Sequence, residues 1–271
     1  MVFGKILSIF LIVLMISTFT GCFGEGVTTY SNEDNTNMIG RNISIACWNL
    51  QIFGPSKALN DTLLDYYAEK LNDFDIFIVQ EIRDESGDAI KTLALKFPEH
   101  QYILSDRAGQ SSSKEQYAVF YNNQATLIEL YDYQAEYQED MQRPPLKVTF
   151  KSNNWTFTLF TIHTQPNNVP GELLVLEKIV GEPLVDTIIL GDLNADGSYY
   201  DEENINHFID WNWIINNDID TTVAKSDNTY DRIIINEATE NNLISFGVMD
   251  DVNSGVSDHY LVYGYFYNEK E

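Results

Sequence analysis

Acidic, amide and imidazole side chains recur where strand-like apolar segments of the sequence begin or end. They are Asn49, Glu81, His163, Asp192, Asn194, Asp231, Asp258 and His259. Taken alone, such a residue is more often a turn residue or a structural histidine than a catalytic group. The set as a whole combines oxygen ligands for hard metal ions with proton-transfer groups. Because functional residues favour loops on a rigid scaffold, the pattern predicts that these side chains meet in one pocket.

The chemistry that needs both kinds of group is hydrolysis of a phosphodiester, an anion that gains charge as water attacks it. Carboxylate and amide oxygens, such as those of Glu81, Asp258 and Asn49, are suitable ligands for Mg²⁺ or Mn²⁺. The ion can offset the charge that develops on a phosphoryl or leaving oxygen. A histidine tuned by a carboxylate transfers protons near neutral pH, which contributes about 10²- to 10⁴-fold to the rate. His163 and His259 are suited to that role.

The elements that position these side chains follow from the hydrophobic pattern. Strands are predicted at residues 43–48, 76–79, 117–121, 146–150, 155–162, 187–190, 232–235 and 260–266. Helices are predicted at 62–71, with Asp61 as the N-cap, and at 171–180. Continuous apolar runs are typical of strands buried on both faces, whereas 155–162 alternates. The order of elements predicts an α+β fold, in which two sheets pack face to face with helices outside.

The first residues have the pattern of a secretory signal. Lys5 precedes an apolar run from Ile6 to Ile16, and small residues follow up to Gly21-Cys22. The run is shorter than the ~20 apolar residues that a transmembrane helix needs. Gly21-Cys22 resembles a lipobox, so Cys22 is expected to carry a lipid; an ordinary signal peptide and an uncleaved anchor are the alternatives. The protein is therefore expected to be exported, and either lipid-anchored at the extracellular face of the cell membrane or secreted.

Composition is consistent with three segments. Residues 1–21 are expected to form the signal peptide, 22–42 a lipidated polar tether and 43–271 one catalytic domain. With 44% hydrophobic and 13% aromatic residues, the chain can form a sizeable core. Of the two cysteines, Cys22 belongs to the export signal, so Cys47 is expected to be a buried thiol in a strand, without a disulfide framework.

The chain is strongly acidic, with a formal net charge of −25. Such a surface repels polyanions and argues against a passive nucleic-acid-binding protein, which normally has a basic patch. It does not exclude a nuclease, because bound divalent cations reverse the local field. Binding to DNA is then expected to depend on divalent cations and to be inhibited by moderate salt.

Several short motifs resemble a known superfamily of enzymes. Gln80-Glu81, Gly191-Asp192-Leu193-Asn194 and Ser257-Asp258-His259 together resemble the endonuclease/exonuclease/phosphatase superfamily. Five longer stretches are similar to its deoxyribonuclease I branch, namely residues 48–54, 80–84, 113–117, 194–199 and 229–233. The resemblance extends from Asn42 to about Phe266. It implies a four-layer α/β sandwich, in which two packed, mainly antiparallel sheets are flanked by helices.

The resemblance also implies a role for each matching residue. The implied metal ligands are Glu81, Asn49 and Asp258. The implied catalytic residues are His163 paired with Glu115, His259 paired with Asp231, and Asp192 and Asn194, which would orient water and phosphate. The implied contacts with nucleic acid are Arg83 and Arg143.

A loop that resembles a calcium site, and one difference from the deoxyribonuclease I branch, add to these implications. Asp220, Thr222 and Ser226 resemble a structural Ca²⁺ site of the same branch. Ala224 replaces an oxygen-bearing residue of that loop, so a plain polar turn is the alternative. Ser113 stands where the branch commonly has a tyrosine that packs in the DNA minor groove, which removes one contact with duplex DNA.

Three functions follow from these observations. The favoured hypothesis is an exported, Mg²⁺-dependent phosphodiesterase that hydrolyses nucleic acid as a monomer, with DNA as the expected substrate. The alternative is a metal-dependent enzyme of the same superfamily that acts on a phospholipid, an inositol phosphate or a nucleotide. A non-catalytic binding lipoprotein is disfavoured, because every acid, base and ligand position that could be matched is filled.

Overall fold

Two sheets form the centre of the molecule. The computed structural model describes residues 27–31, 42–110, 113–201, 204 and 206–269. The larger sheet has the spatial order β1 (Val27–Ser31), β12 (Leu243–Met249), β13 (Leu261–Tyr267), β2 (Asn42–Phe53), β3 (Ile76–Ile82), β5 (Gln116–Tyr121) and β4 (Gln101–Leu104). The smaller sheet has the order β10 (Asn212–Trp213), β11 (Asp231–Ile235), β9 (Asp186–Asp192), β8 (Trp155–Thr161), β7 (Leu146–Ser152) and β6 (Thr126–Asp132). Pairs β2–β3 and β8–β9 are parallel and the other neighbours are antiparallel, which confirms the prediction of two mainly antiparallel sheets.

The helices lie between strands in the chain. They are α1 (Pro55–Ala58), α2 (Asp61–Leu71), α3 (Asp88–Ala94), α4 (Gln134–Tyr137), α5 (Val169–Val180) and α6 (Glu237–Glu240). The prediction that Asp61 caps α2 is wrong by one residue, because the Asn60 side chain accepts the hydrogen bond from the Leu63 amide. Asp61 is instead in the first turn, where a negative charge interacts favourably with the helix dipole.

The sheets pack face to face, and helices cover their outer faces. Between the sheets, Cys47 of β2 and Val148 of β7 belong to one hydrophobic cluster. The next residue of β2, Trp48, points to the opposite face and packs edge-on against Tyr67 of α2, with ring centroids 5.3 Å apart. On the far side, Leu173 of α5 belongs to the cluster that covers the smaller sheet. The predicted four-layer sandwich and the buried, unbridged Cys47 are both confirmed.

The predictions for the N-terminus fall largely outside the described residues. The signal peptide at 1–21 and the lipidation of Cys22 lie wholly outside them, as does most of the tether at 22–42. Within that tether, however, Val27–Ser31 forms β1 and pairs with β12, which a polar segment can do through its backbone alone. None of the described helices is long and apolar enough to cross a membrane.

The two sheets come close together at Gly191, in β9. The buried Gln80 side chain of β3 donates a hydrogen bond to the Ile162 carbonyl (2.8 Å) and accepts one from the Asp192 amide (3.0 Å). Gly191 lies between these contacts with a φ of +147°, and a Cβ there would be 2.0 Å from the Ile162 carbonyl oxygen and 2.6 Å from Gln80 Nε2. Only glycine fits this position. The close approach that glycine allows lets the Asp192 amide bond to Gln80 of the larger sheet.

Gly191→Ala is therefore expected to destabilise the fold by about 3 kcal/mol or more, since overpacking and a strained φ add together. Chemical denaturation measures the effect. Gly87→Ala is the matched control, because its φ is +71° but a Cβ would meet nothing within 4 Å. The control should lose only about 1–2 kcal/mol, the cost of a left-handed residue. Equal losses in the two variants would contradict the close approach at Gly191.

Candidate active site

Bulges in β2 and β3 set the position of Glu81. The pairs Asn49–Gln80 and Phe53–Ile82 enclose two more residues in β2 than in β3, and Glu81 itself has a φ of +60°. Its carboxylate accepts hydrogen bonds from the Ile52 amide (2.8 Å) and from Asn49 Nδ2 (3.3 Å). A bulge commonly redirects a side chain at a functional site, and here it holds a carboxylate near the end of β3 with one backbone and one side-chain donor.

His163 and Glu115 form the first histidine–carboxylate unit. His163 Nδ1 lies 2.6 Å from Glu115 Oε1, and both side chains are buried. Burial alone would lower the pKa of His163, but the charges of Glu115 and Asp192 and the hydrogen bond to Glu115 together raise it. Burial would likewise raise the pKa of Glu115, but the charges of His163, Arg143 and Arg83 hold it below its ordinary value. The unit is therefore a stabilised ion pair when the imidazole is protonated.

His259 and Asp231 form the second unit. His259 Nδ1 lies 2.7 Å from Asp231 Oδ2, and Asp231 is fully buried at the start of β11. The Trp48 indole fixes the backbone of His259 by donating to its carbonyl (2.8 Å). Burial would lower the pKa of His259, but the charges of Asp231 and Asp192 raise it to about 10. This imidazole is protonated at neutral pH in the protein without bound metal.

Asp192 joins the two units. Its Oδ2 lies 3.2 Å from Nε2 of His163 and 3.4 Å from Nε2 of His259, and it accepts a hydrogen bond from Asn49 Nδ2 (3.0 Å). Burial would raise the pKa of Asp192, but the charges of His259 and His163 outweigh it and lower that pKa. Each imidazole therefore has one nitrogen on its own carboxylate and the other facing a shared one.

Asn194, two residues after Asp192, contacts it directly. Its backbone amide donates to Asp192 Oδ1 (3.1 Å) and its side chain donates to the Thr164 carbonyl (3.1 Å). Asn194 has a φ of +47°, a conformation that asparagine tolerates better than most residues. The resemblance implied a contact between Asn194 and phosphate, and the structure places the residue within this cluster.

The predicted metal ligands separate into two parts of the cluster. Asn49 contacts Glu81, but Asp258 is half exposed and lies on the His259 side, with Oδ1 3.8 Å from His259 Nε2. The structure instead groups Glu81 with Glu115 and His163, whose ligand atoms all lie within 4.8 Å of one another.

The donor chemistry of this second group fits a divalent cation. Glu81 and Glu115 supply carboxylate oxygens, the ligands that Mg²⁺ and Mn²⁺ prefer. Glu115 Oε2 is buried and has no hydrogen-bond partner among the described residues; its neighbour is Arg83 Nη2, at 3.5 Å. A cation would give this oxygen a partner.

The two arginines implied as substrate contacts border the same carboxylates. Arg83 Nη2 lies 2.8 Å from Glu81 Oε2, and Nη1 donates to Ser113 Oγ (3.0 Å). Arg143 donates to the carbonyls of His163 (2.7 Å) and Thr164 (2.5 Å) and is largely buried. Both guanidinium groups are near the centre, and each is already engaged with protein groups through two of its nitrogen atoms.

The residues of the implied calcium loop also come together, in a segment whose Thr222 pairs with His259. Asp220 Oδ1 accepts hydrogen bonds from the amides of Thr222 (3.0 Å) and Asn228 (3.1 Å), and Thr222 Oγ1 lies 3.3 Å from the Ser226 carbonyl. A carboxylate that accepts from amides two and more residues later is typical of a polar turn. The Ca²⁺ site stays a prediction.

Three residues that position the site were assigned no role from the sequence. Gln80 links the sheets, as described above. Lys57 Nζ donates to the carbonyls of Leu50 (2.7 Å) and Val256 (2.8 Å), which ties the segment after Asn49 to the segment before Asp258. The third is a buried carboxylate on α5, Glu172.

Glu172 holds the two loops that carry Arg143 and Thr164. Its carboxylate accepts from the amides of Gln142 (2.5 Å) and Gln165 (2.7 Å). Nothing in the sequence marks Glu172 or Lys57 out, because glutamate and lysine are ordinary surface residues of helices. Gln80 had a detectable signal, since it belongs to a motif that supported the resemblance.

Comparison with known proteins places this chain in a family of hydrolases that act on phosphoester bonds. The model of the Endonuclease/Exonuclease/phosphatase family matches residues 46–259, so the chain belongs to that family. Members of the family depend on divalent metal ions, for which the group of Glu81, Glu115 and His163 is a candidate site.

Individual relatives agree with this assignment. Deoxyribonuclease-1 of Bos taurus is 25% identical over 259 residues, which cover 83% of this chain and 92% of that protein. Among solved structures, an endonuclease/exonuclease/phosphatase family protein from Bacteroides thetaiotaomicron has a TM-score of 0.64 at 19% identity, covering 85% of this chain and 99% of that one. A mannosyl-6-phosphatase from Bacteroides thetaiotaomicron VPI-5482 has a TM-score of 0.61 at 19% identity, covering 82% and 98%. At these identities the solved structures show the fold alone.

Proposed function

We propose that the protein is an exported, Mg²⁺-dependent phosphodiesterase that cuts nucleic acid, with DNA as its substrate. The observation that carries the proposal is the shared carboxylate of Asp192, which lies within 3.4 Å of both catalytic imidazoles. A relative named Deoxyribonuclease-1 that aligns with 83% of the chain supports DNA rather than another phosphoester. Export, a lipid at Cys22 and a monomeric state rest on the sequence pattern.

The two histidine units divide the proton transfers of hydrolysis. His259 has a pKa of about 10, so it holds a proton that it can give to the leaving oxygen. His163, in its neutral form, is the base that takes the proton of the attacking water, and Glu115, whose charge helps to raise the pKa of His163, stabilises the imidazolium that forms. Asp192, between the two Nε2 atoms, orients both rings. A divalent ion at Glu81, with Glu115 beside it, would offset negative charge on the phosphate.

Plasmid nicking tests the proposal. Purified residues 23–271 are expected to convert supercoiled plasmid DNA to the nicked form in the presence of Mg²⁺, and EDTA should abolish the reaction. Robust hydrolysis of phospholipid headgroups, inositol phosphates or nucleotides without any nicking of DNA would refute it. Inactivity on every phosphoester would leave a binding protein that keeps the scaffold.

A second candidate function is hydrolysis of a phosphate ester on a small molecule. It is favoured by the net charge of −25, which opposes DNA binding, and by the shared fold with a mannosyl-6-phosphatase. Release of inorganic phosphate from sugar phosphates distinguishes it, because a phosphodiesterase that cuts within DNA releases none.

A further inference from the structure

Gln51 and Ile52 adopt a backbone conformation that their side chains disfavour. Their φ angles are +48° and +54°, consecutive left-handed residues within the bulge of β2. Non-glycine residues rarely occupy this region, and a β-branched side chain makes it a true outlier. Such strain persists only where the surrounding structure over-determines it, and it is concentrated at functional sites.

The backbone contacts explain why the chain must turn here. The Gln51 amide donates to Asn49 Oδ1 (2.9 Å), and the Ile52 amide donates to Glu81 Oε2 (2.8 Å). Phe53 is then fully buried, and its carbonyl accepts from the Arg83 amide (2.8 Å). All of these contacts use backbone groups of residues 51–53, so glycine or asparagine at position 52 would preserve them with less strain.

The fold therefore does not explain why position 52 carries an isoleucine side chain. It is 57% exposed, although both Leu50 and Phe53 beside it are completely buried. Its own amide is bound to the carboxylate of Glu81, so the exposed side chain borders the catalytic cluster. An apolar side chain that is exposed, and held in a strained conformation beside the catalytic cluster, is suited to contact a bound substrate.

We infer that Ile52 is a specificity-determining residue, whose side chain makes an apolar contact with the sugar or base next to the phosphate that is cut. The inference rests on the proposed function. Ionic attraction to DNA is limited in a chain of charge −25 whose Arg83 is paired with Glu81 at 2.8 Å. An apolar contact does not suffer this repulsion, and isoleucine is among the side chains that proteins insert into nucleic-acid grooves.

Two variants test the contact, Ile52→Gly and Ile52→Asn, because both residue types tolerate the left-handed conformation. The kcat/KM for duplex DNA is expected to fall about 5-fold more than that for methyl 4-nitrophenyl phosphate, the effect of losing burial of roughly half an isoleucine side chain. The loss should appear in KM, with the salt dependence of KM unchanged, since no ion pair is removed. The melting temperature should not fall.

Leu184→Asn is the matched control, because Leu184 is fully exposed and outside the cluster. It should leave both activities unchanged. Equal losses on DNA and on the small diester would overturn the inference, since Ile52 would then act only through Glu81. Unaltered kinetics on DNA would overturn it as well. If the unmodified protein hydrolyses the small diester but not DNA, the proposed function itself fails, and the inference fails with it.

Discussion

Replacing His163 or His259 with glutamine is expected to lower kcat for DNA hydrolysis by about 10²- to 10⁴-fold in each case. Glutamine keeps much of the side-chain volume and a hydrogen-bonding group toward Glu115 or Asp231, but it cannot take up or release a proton. Initial rates of plasmid nicking, and of hydrolysis of a chromogenic diester, measure the loss. Circular dichroism and the melting temperature establish that the variants are folded.

His100→Gln provides the control for these substitutions. His100 contacts the Phe74 carbonyl through Nε2 (2.8 Å), outside the catalytic cluster, so its loss should leave kcat unchanged. The double variant of His163 and His259 should lose less than the product of the single losses, because both imidazoles act on one reaction through Asp192. A single-variant loss below about tenfold would be incompatible with proton transfer by that histidine.

Glu81→Gln is expected to raise the Mg²⁺ concentration needed for half-maximal activity and to lower kcat/KM by about 10²- to 10³-fold, since a metal ion contributes several kcal/mol to charge stabilisation. The substitution removes one negative charge but keeps a carbonyl oxygen that can accept from the Ile52 amide. Calorimetry with Mg²⁺ or Mn²⁺ measures the affinity directly, independently of turnover.

The control for Glu81 is Glu139→Gln, which removes the charge of an exposed glutamate that lies outside the catalytic cluster. It should change neither metal affinity nor activity. If Glu81→Gln bound the ion as tightly as the unmodified protein, the ion would have to be held elsewhere, for example by Asp258 on the His259 side of the cluster.

Much of the fold could be predicted from hydrophobic patterning, but the sheet edges could not. Strands such as β3 and β9 are buried on both faces, so each contains an apolar run that is easy to recognise, 76–79 in β3 and 188–190 in β9. Strand β6 forms one edge of the smaller sheet, and most of its side chains are exposed, including Ile128 and Leu130. An edge strand with little burial imposes no clear period on its residues, and β4, at the edge of the other sheet, was missed for the same reason.

The site was predictable in its residue types and less so in its geometry. Position at strand ends indicated most of the acids, amides and imidazoles, whereas the partner of each histidine came from the family resemblance. Neither source could show that Asp192 lies between the two imidazoles, because that contact joins segments from separate parts of the chain across both sheets. Sequence also could not show how the Glu81 side chain is aimed, since the bulges around it are set by strand pairing.

The position of β13 has a consequence for how the protein is made. This strand lies between β12 and β2 in the larger sheet, and His259 lies two residues before its first residue, Leu261. A nascent chain that contains Glu81, His163 and Asp192 but not yet residues 259–267 lacks the second imidazole and a central strand of the larger sheet. Under the proposed function, the nascent chain is therefore harmless to the nucleic acids of the cell that makes it until β13 has been synthesised.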